Sequence, residues 1–350
     1  MRLGLNLGYV TSAAQLHANL ELAAVADQIG YDVVWVAEAY GSDAATVLGA
    51  IAATTERIGV GSAVLQIPGR TPAMTAMTAA TLDALSGGRF RLGLGVSGPQ
   101  VSEGWHGVPF KDPVGRTREY VQIVRQALSR RKVTAGGDHF TLPLPDGPGK
   151  SLVLAFEPVR PRIPLYLAAV GPKNLTLTGE VADGWLAIFF DPETGGRQIE
   201  RIHEAATAAG RDPSAIDISV QTTLAIDDDP ERAALLVRPG AALYIGGMGS
   251  KKVNFYHGIA TAMGYEAEAD QVQEKFQARD YQGAAAAVPF EFIDRTSLIG
   301  SPDRIVERLA ALAATGVTTV NLSPAAPDQE SRVHALRTIH AAATSAGVLA

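Results

Sequence analysis

Cysteine is absent from the 350-residue sequence. This absence excludes disulfide bonds, iron–sulfur clusters, thiolate metal sites and cysteine nucleophiles. The sequence also lacks a basic stripe, because its lysine and arginine residues are spread along a chain with a formal net charge of −6. Nucleic acid is therefore not an expected partner. No apolar run approaches the ~20 residues that a membrane-spanning helix needs, and we expect a cytoplasmic protein without a membrane partner.

Several catalytic motifs are missing as well. The seven histidines show no metal-ligand spacing such as HExxH, so no metal site is predicted. Neither GxSxG nor a Walker motif occurs, which disfavours hydrolases and nucleoside triphosphatases. The stretch Gly93–Gly98 matches GxGxxG after a predicted strand, but Pro99 comes before any clear helical pattern. We therefore interpret this stretch as a loop that lines a ligand site, and not as a Rossmann dinucleotide site.

One strand–helix–strand unit stands out in the first third of the chain. The apolar, β-branched run Ile58–Leu65 predicts a strand, and Thr71–Pro72 begins a helix with Thr as N-cap and Pro at the first helical position. The helix ends at Gly87–Gly88, and Phe90–Gly95 is a second strand. Because parallel strands point the same way, the loops that follow both strands open on one face of a sheet. In α/β proteins that face carries the functional site.

The same alternation of strands and helices continues along the whole chain. The predicted strands are Leu3–Leu7, Val33–Ala37, Ile58–Leu65, Phe90–Gly95, Pro164–Ala169, Gly184–Phe189, Asp217–Ile226 and Thr318–Leu322. Eight such units predict an α/β fold, a (β/α)₈ TIM barrel, which typically takes ~250 residues. The surplus indicates insertions near residues 134–161 and 238–295 of a single domain covering residues 1–350. A doubly wound sheet is the weaker alternative, because the first and last predicted strands lie where barrel closure requires them.

The stretch Gly171–Asn174 is a candidate phosphate site. It follows a buried strand and opens a helix, where Lys173, Asn174 and Leu175 are expected to offer free amides at the positive end of the helix dipole. Gly171 allows close approach of an anion, Pro172 begins the helix, and Lys173 adds a positive charge. The alternative is an ordinary Gly-Pro helix start with a solvated lysine.

The ends of two neighbouring strands supply further candidates for cofactor binding. Ala63 and Val64 are small and apolar, and side chains of this kind form a platform for a flat ring. Gln66 is polar at the end of an apolar strand and is expected to face the site. Ser97 and Gly98 lie in the glycine-rich loop and are expected to line the ligand. The alternative for Ala63 and Val64 is simple barrel core.

Two residues are candidates for proton transfer. Glu38 ends the second predicted strand, where a carboxylate can exchange a proton with a ligand or accept a hydrogen bond from it. His106 lies in the loop after the fourth predicted strand and can act as a proton donor. A structural or helix-capping role is the alternative for Glu38, and a structural role is the alternative for His106.

Several motifs together resemble the bacterial luciferase-like superfamily, and within it the coenzyme F420-dependent oxidoreductases. The matching stretches are Thr71–Ala73, Ala80–Arg89, Leu92–Gly95, Leu167–Ala169 with Gly171–Lys173, and Ala182–Trp185. They are spread over most of the predicted barrel. The string ATLDALSGGR is specific to the superfamily, but it does not separate deazaflavin enzymes from FMN enzymes.

The resemblance implies where a cofactor binds. It implies a flavin or deazaflavin at the C-terminal face of the barrel strands, with a non-prolyl cis peptide at Ala63–Val64 behind the ring and the cofactor phosphate at Gly171–Asn174. It also implies a homodimer acting on a small-molecule substrate. One departure is visible: where sugar-phosphate dehydrogenases of this family have an Asp-His pair, this chain has Glu38-Ala39, which argues against sugar-phosphate oxidation.

Three functions are compatible with these features. The leading hypothesis is an oxidoreductase that transfers a hydride between coenzyme F420 and a small organic substrate. The second is an FMN-dependent luciferase-like monooxygenase. The third is a cofactor-binding protein without turnover. The observation that suggests it is the absence of a histidine at position 39.

Overall fold

A computed structural model describes residues 1–249 and 254–349 of the chain, and its centre is a closed barrel of eight parallel strands. The strands are β1 (Arg2–Asn6), β2 (Val33–Val36), β3 (Gly59–Ser62), β4 (Leu65–Gln66), β5 (Phe90–Gly95), β6 (Ala135–Gly136), β7 (Thr141–Leu142), β8 (Leu165–Ala168), β9 (Gly184–Ile188), β10 (Asp217–Ile226), β11 (Leu298–Gly300) and β12 (Thr319–Pro324). The barrel consists of β1, β2, β3, β5, β8, β9, β10 and β12. Its first and last strands pair, with Arg2 opposite Thr319, which closes the barrel as predicted.

Helices surround the barrel. They are α1 (Ala13–Ile29), α2 (Ala44–Thr54), α3 (Pro72–Leu85), α4 (Pro99–Gly104), α5 (Pro113–Leu128), α6 (Pro172–Val181), α7 (Gly196–Ala208), α8 (Pro230–Ala242), α9 (Phe255–Ala262), α10 (Glu266–Gln277), α11 (Tyr281–Ala286), α12 (Phe290–Thr296), α13 (Pro302–Ala314) and α14 (Gln329–Ser345). The predicted caps are present: the side chain of Thr71 accepts a hydrogen bond from the Met74 amide, with Pro72 at the first helical position of α3. The short helix α4 begins at Pro99, where no helix was predicted.

The strands are buried on both faces, which explains their near-continuous apolar sequences. Side chains such as Val34 and Val60 point outwards and pack with the surrounding helices in one large core. The barrel interior instead holds Trp35 and Tyr166, whose rings meet edge to face at 5.1 Å between centroids. Gly61 is required beside them, because a Cβ atom at this position would lie 2.3 Å from the Trp35 ring.

Polar groups inside the barrel are satisfied by one another. The Trp35 indole donates to Asn321 Oδ1 at 2.8 Å, and Asn321 Nδ2 donates to Ser219 Oγ at 2.8 Å. The Tyr166 hydroxyl donates to the Asp217 carboxylate at 2.9 Å. Buried polar groups are costly unless they are paired, so these bonds specify how strands β2, β8, β10 and β12 face each other across the interior.

The two predicted insertions differ in structure. Residues 134–161 form the small hairpin β6–β7 and otherwise irregular chain. The described residues of the insertion 238–295 are mostly helical and build a second apolar core around Val272 and Phe292. Within this insertion, Leu243–Gly247 forms a π-helical turn.

Asp183 stabilises the N-terminal end of the barrel. Its carboxylate accepts a hydrogen bond from the Leu165 amide at 2.8 Å and pairs with Arg125 of α5 and with Arg162. Burial opposes the charge, but Arg125 and the hydrogen bonds outweigh burial and hold the pKa of Asp183 below its ordinary value. One carboxylate thus joins α5 to the starts of β8 and β9.

We expect Asp183→Asn to lower the free energy of unfolding by about 3 kcal/mol, because it leaves the Arg125 guanidinium half-buried without its counter-charge. Because the folded-state pKa is depressed, this contribution is full above the ordinary aspartate pKa of about 3.9 and is lost as the pH falls through the lower folded-state value. Urea unfolding at pH 7 and at pH 3 measures both effects. The exposed Asp228→Asn is the matched control, and an equal loss in both variants at pH 7 contradicts the prediction.

Candidate functional site

The predicted site residues lie at the C-terminal ends of neighbouring barrel strands. Glu38 follows β2, Ala63–Gln66 follow β3, Ser97 follows β5 and Gly171 follows β8. Because the barrel strands are parallel, all of these positions lie at the same end of the barrel. We refer to this end, with the loops that surround it, as the barrel mouth.

Strand β3 is interrupted at the barrel mouth. The peptide bond between Ala63 and Val64 is cis, and both residues are half-buried between β3 and β4. Across the break, Ser62 Oγ donates to the Gly93 carbonyl and accepts from the Gly93 amide, both at 2.9 Å. Gly95 is required on the facing strand, since a Cβ atom there would lie 2.5 Å from Val64 Cγ2. Ala63 and Val64 therefore present a small apolar surface whose position is set by β5.

Gln66 and Ser97 connect the loops around this surface. The Gln66 side chain is buried; its Nε2 donates to the Ala39 carbonyl at 2.6 Å, and its Oε1 accepts from the Ser97 hydroxyl at 2.8 Å. Ser97 has a φ of 63°, in the left-handed region. Gly98 follows with open space where a Cβ atom would be. These contacts position the loop after β5, and direct contact of these residues with a cofactor stays a prediction.

The Glu38 carboxylate is nearly buried, and both of its oxygens accept hydrogen bonds. Its Oε1 accepts from the Gln66 amide at 3.1 Å, and its Oε2 accepts from the Ala44 amide at 3.1 Å and from Arg70 Nη2 at 3.3 Å. Burial disfavours the charge of Arg70, but Glu38 and Asp43 outweigh it and raise the pKa of Arg70. This geometry corresponds to the structural and helix-capping alternative. A role of Glu38 in proton transfer stays a prediction.

His106 has a different environment. The residue is half-buried after α4 and lies against the turn that follows Gln66, since a Cβ atom at Gly69 would be 3.0 Å from its ring. Its backbone amide donates to the Val101 carbonyl at 3.1 Å. Its Nε2 atom is buried and has no hydrogen-bond partner among the described residues. The ring nitrogen is therefore buried and unpaired within the described part of the chain, and its use in proton transfer stays a prediction.

The predicted phosphate site is the start of α6. Gly171 is the N-cap residue, and no atom lies within 4 Å of a Cβ atom built on it. Three free amides were predicted here, and this is wrong for two of them: the amides of Asn174 and Leu175 both donate to the Gly171 carbonyl at 3.0 Å. A tight first turn uses these donors within the chain. Of the predicted anion-binding groups, the Lys173 amide and the exposed Lys173 ammonium group remain.

Asn174 adds an acceptor to this loop. Its Nδ2 lies 3.5 Å from the Ala168 carbonyl, while its Oδ1 is buried without a hydrogen-bond partner in the described part of the chain. An unpaired buried acceptor is costly, and a hydroxyl group of a bound molecule would satisfy it. Open space at Gly171, a lysine and an unpaired acceptor together fit the phosphate and hydroxyl groups of a flavin-type cofactor tail.

An aromatic cluster at the barrel mouth was missed in the sequence. Tyr9 follows β1 and Phe189 follows β9, while Tyr244 and Tyr256 come from the helical insertion. Ring centroids lie 6.4 Å apart for Tyr9 and Tyr244, 5.7 Å for Phe189 and Tyr244, and 4.8 Å for Tyr244 and Tyr256. An aromatic residue just after a barrel strand is a signal that could have identified Tyr9 and Phe189. No local pattern marks Tyr244 or Tyr256.

A cleft with a volume of about 280 Å³ lies elsewhere, on the outer side of the barrel. It is lined by Val220 and Thr222 of β10, by Arg308 of α13, and by Asp191 and Arg295. Val220 belongs to the core between the barrel and its helices, so this cleft opens between those layers and not at the barrel mouth. None of the predicted site residues lines it.

Within residues 1–249 and 254–349, no group of three or more His, Asp or Glu side chains is arranged to hold a metal ion. Among the helices described, none combines the length and the apolar character needed to cross a membrane.

Comparisons with known proteins identify relatives over most of the chain. A family model described as luciferase-like monooxygenase matches residues 2–319. The putative coenzyme F420-dependent oxidoreductase Rv3520c of Mycobacterium tuberculosis is 42% identical over 344 residues, which covers 96% of this chain and 99% of that protein. A 5,10-methylenetetrahydromethanopterin reductase of Archaeoglobus fulgidus is 30% identical over 311 residues, covering 88% and 90%.

A solved structure shows the same architecture. The coenzyme F420-dependent tetrahydromethanopterin reductase of Methanopyrus kandleri superposes with a TM-score of 0.82 at 26% identity, covering 99% of both chains. The barrel fold and the family resemblance predicted from the sequence are thus confirmed.

We expect Glu38→Gln to lower the free energy of unfolding by about 2 kcal/mol, because an amide offers one acceptor oxygen where the carboxylate serves two backbone amides and Arg70. Chemical denaturation of the variant and the parent protein measures the difference. Glu21→Gln, on the exposed face of α1, is the control and should be neutral. If Glu38→Gln is equally neutral, the carboxylate does not hold the mouth together.

Proposed function

Because the chain belongs to the luciferase-like monooxygenase family, we propose that it works as a coenzyme F420-dependent oxidoreductase that transfers a hydride between the deazaflavin and a small organic substrate. The observation that carries this proposal is the 42% identity, over 96% of the chain, to a relative named for that activity. The site residues support it, because they combine an apolar ring platform with a phosphate site at one end of one barrel.

The ring platform is assigned to the break in β3. Ala63 and Val64 are half-buried at the barrel mouth, and Gly95 brings the facing strand close behind Val64. We assign these two residues to the face of the deazaflavin ring, with Gln66, Ser97 and Gly98 at its edge. When bound, the cofactor supplies the hydride chemistry. The protein supplies a position that is shielded from water and held by the strand ends.

The cofactor phosphate is assigned to the start of α6. Gly171 leaves room for an anion, and Pro172 sets the first helical turn. Lys173 contributes a positive charge, and the positive end of the helix dipole adds to it. Asn174 contributes the unpaired Oδ1 atom as an acceptor for a hydroxyl group of the cofactor.

The accompanying proton is assigned to His106. Its buried Nε2 atom has no hydrogen-bond partner among the described residues, which leaves that position open for a hydrogen bond with a group of the substrate. Glu38 is the second candidate. Its carboxylate is occupied by Arg70 and two amides, so proton transfer through Glu38 requires one of these contacts to open.

A homodimer is the proposed assembly, as the resemblance implies, and a cytoplasmic location stays a prediction. The dimer is supported by the outer faces of α2 and α3, which pack side by side. The two helices contain a single charged residue, Asp83, and it is buried. The exposed side chains of α3 include Met74, Met77 and Leu85. A face without charge can meet its own copy without like-charge repulsion.

Parallel titrations of the purified protein with coenzyme F420 and with FMN, followed by fluorescence, test the cofactor. We expect binding of coenzyme F420 and weak or no binding of FMN. Preference for FMN would move the function to a monooxygenase, the second hypothesis from the sequence. Binding of neither cofactor overturns the proposal. Binding of coenzyme F420 without oxidation or reduction of any carbonyl compound or alcohol would favour the non-catalytic hypothesis.

Gly171→Asp tests the phosphate site. We expect it to weaken the binding of coenzyme F420 by about tenfold or more, because it places a carboxylate next to the cofactor phosphate. Gly171→Asn is the matched control of equal size without the charge, and it should bind several-fold more tightly than the Asp variant. Both residues are good N-caps, so the thermal stability of the variants should equal that of the parent or exceed it. Equal affinities of the two variants would move the phosphate elsewhere.

A further inference from the structure

We propose that the cleft on the outer side of the barrel is a second binding site, which takes a small apolar molecule with one carboxylate group. The cleft has a volume of about 280 Å³ and lies between β10 and α13. None of the residues assigned to the cofactor lines it. The proposal therefore goes beyond the proposed function and does not depend on it.

The floor of the cleft is apolar. Val220 of β10, Leu298 of β11 and Leu312 of α13 line it with buried side chains, and Phe190 lines it where the chain leaves β9. Ala311 lines the cleft from the exposed side of α13. Removing apolar surface from water is favourable, so this floor suits the hydrocarbon body of a small ligand.

Two arginines line the polar side of the cleft. The Arg295 guanidinium contacts the Asp191 carboxylate at 2.5 Å and the Glu193 carboxylate at 3.4 Å. The Arg308 guanidinium lies 3.5 Å from the Asp294 carboxylate. Both arginine side chains stay partly exposed, by 26% and 24%, so a ligand in the cleft can contact them. An arginine fork matches the geometry of a carboxylate, and this selects the head group of the ligand.

The carboxylate beside Arg308 is shared with another cation. Arg304 Nη2 binds both oxygens of Asp294, at 2.8 and 3.0 Å, and leaves the longer contact to Arg308. No other carboxylate of the described residues forms a salt bridge with Arg308. Arg308 also donates to the Asp294 backbone carbonyl, which fixes its guanidinium beside the cleft. Arg308 is therefore a positioned cation that shares its single acidic partner.

The carboxylate of Glu193 is largely in water. Its side chain is 77% exposed, whereas that of Asp191 is 2% exposed. Water and salt screen an exposed charge much more than a buried one. Three guanidinium groups, of Arg295, Arg304 and Arg308, thus face two well-placed carboxylates and a third that is solvated. A ligand carboxylate can take the place of the Glu193 carboxylate at Arg295 and approach Arg308 as well.

Two probes of the same shape test the ligand class on the unmodified protein. 2-Naphthoate carries a carboxylate, and 2-naphthamide carries a neutral amide on the same rings. Isothermal titration in a buffer of low ionic strength measures both affinities. We expect 2-naphthoate to bind with a Kd below about 1 mM and at least about tenfold more tightly than the amide, because charge-assisted hydrogen bonds are stronger. Equal or tighter binding of the amide, or no binding of 2-naphthoate, overturns the proposal.

Filling the cleft tests where the probe binds. Ala311→Trp places a large ring at the cleft, and we expect it to weaken the binding of 2-naphthoate by about tenfold or more. Ala310→Trp is the matched control, because Ala310 is the exposed neighbour on α13 and is not among the lining residues. It should bind 2-naphthoate like the parent protein, and circular dichroism checks that both variants are folded. Unchanged affinity of Ala311→Trp would place the probe elsewhere and overturn the proposal.

Two charge variants test the head-group contacts in opposite directions. Glu193→Gln removes the competing carboxylate and should bind 2-naphthoate about threefold more tightly, whereas Arg308→Met removes a cation and should bind it about fivefold more weakly. Glu204→Gln and Arg201→Met, both exposed on α7, are the matched controls and should leave the affinity unchanged. Glu193→Gln removes no contact within the barrel core, so it decides the matter even if Arg308→Met does not fold. Unchanged or weaker binding by Glu193→Gln overturns the assignment of the carboxylate to these arginines.

Discussion

The barrel mouth depends on one nearly buried carboxylate. Glu38 accepts hydrogen bonds from the amide at the start of α2, from the amide at the end of β4 and from Arg70, which precedes α3. A charged acceptor with several fixed donors is stronger than the sum of neutral contacts of the same kind. Because the chain between β3 and α3 is anchored in this way, the break at Ala63–Val64 and the contact of Gln66 with the loop after β5 keep fixed positions. A carboxylate that is bound by three donors can exchange a proton only if one of these contacts opens.

Two kinds of surface meet at the mouth. The start of α6 offers a lysine, open space at Gly171 and the unpaired oxygen of Asn174, which together suit a phosphorylated cofactor tail. The aromatic cluster around Tyr244 offers ring edges. The ring platform in β3 lies at the same end of the barrel as both surfaces.

Local sequence patterns predict the structure correctly where interactions within one helical turn determine it. Thr71–Pro72 and Gly171–Pro172 begin helices as expected, because the N-cap and the proline act within one turn. The amides of Asn174 and Leu175 were expected to be free and are not, since the tight first turn of α6 directs them to the Gly171 carbonyl. The sequence does not reveal the π-helical turn at Leu243–Gly247, because the two glycines at its end are typical of a loop and its packing against α10 is not visible locally.

The sequence by itself determined the barrel. Alternating strands and helices are set by residue periodicity, and eight such units leave few ways to bury both faces of every strand. It also determined which strand ends carry glycines and small residues, because these types are required where backbone and ligand come close. Only the tertiary structure decided that Glu38 is bound by three donors and that His106 has a buried ring nitrogen without a partner among the described residues. It alone brought Tyr9 together with Tyr244, 235 positions away in the chain, because contacts between distant residues arise from packing and leave no local pattern.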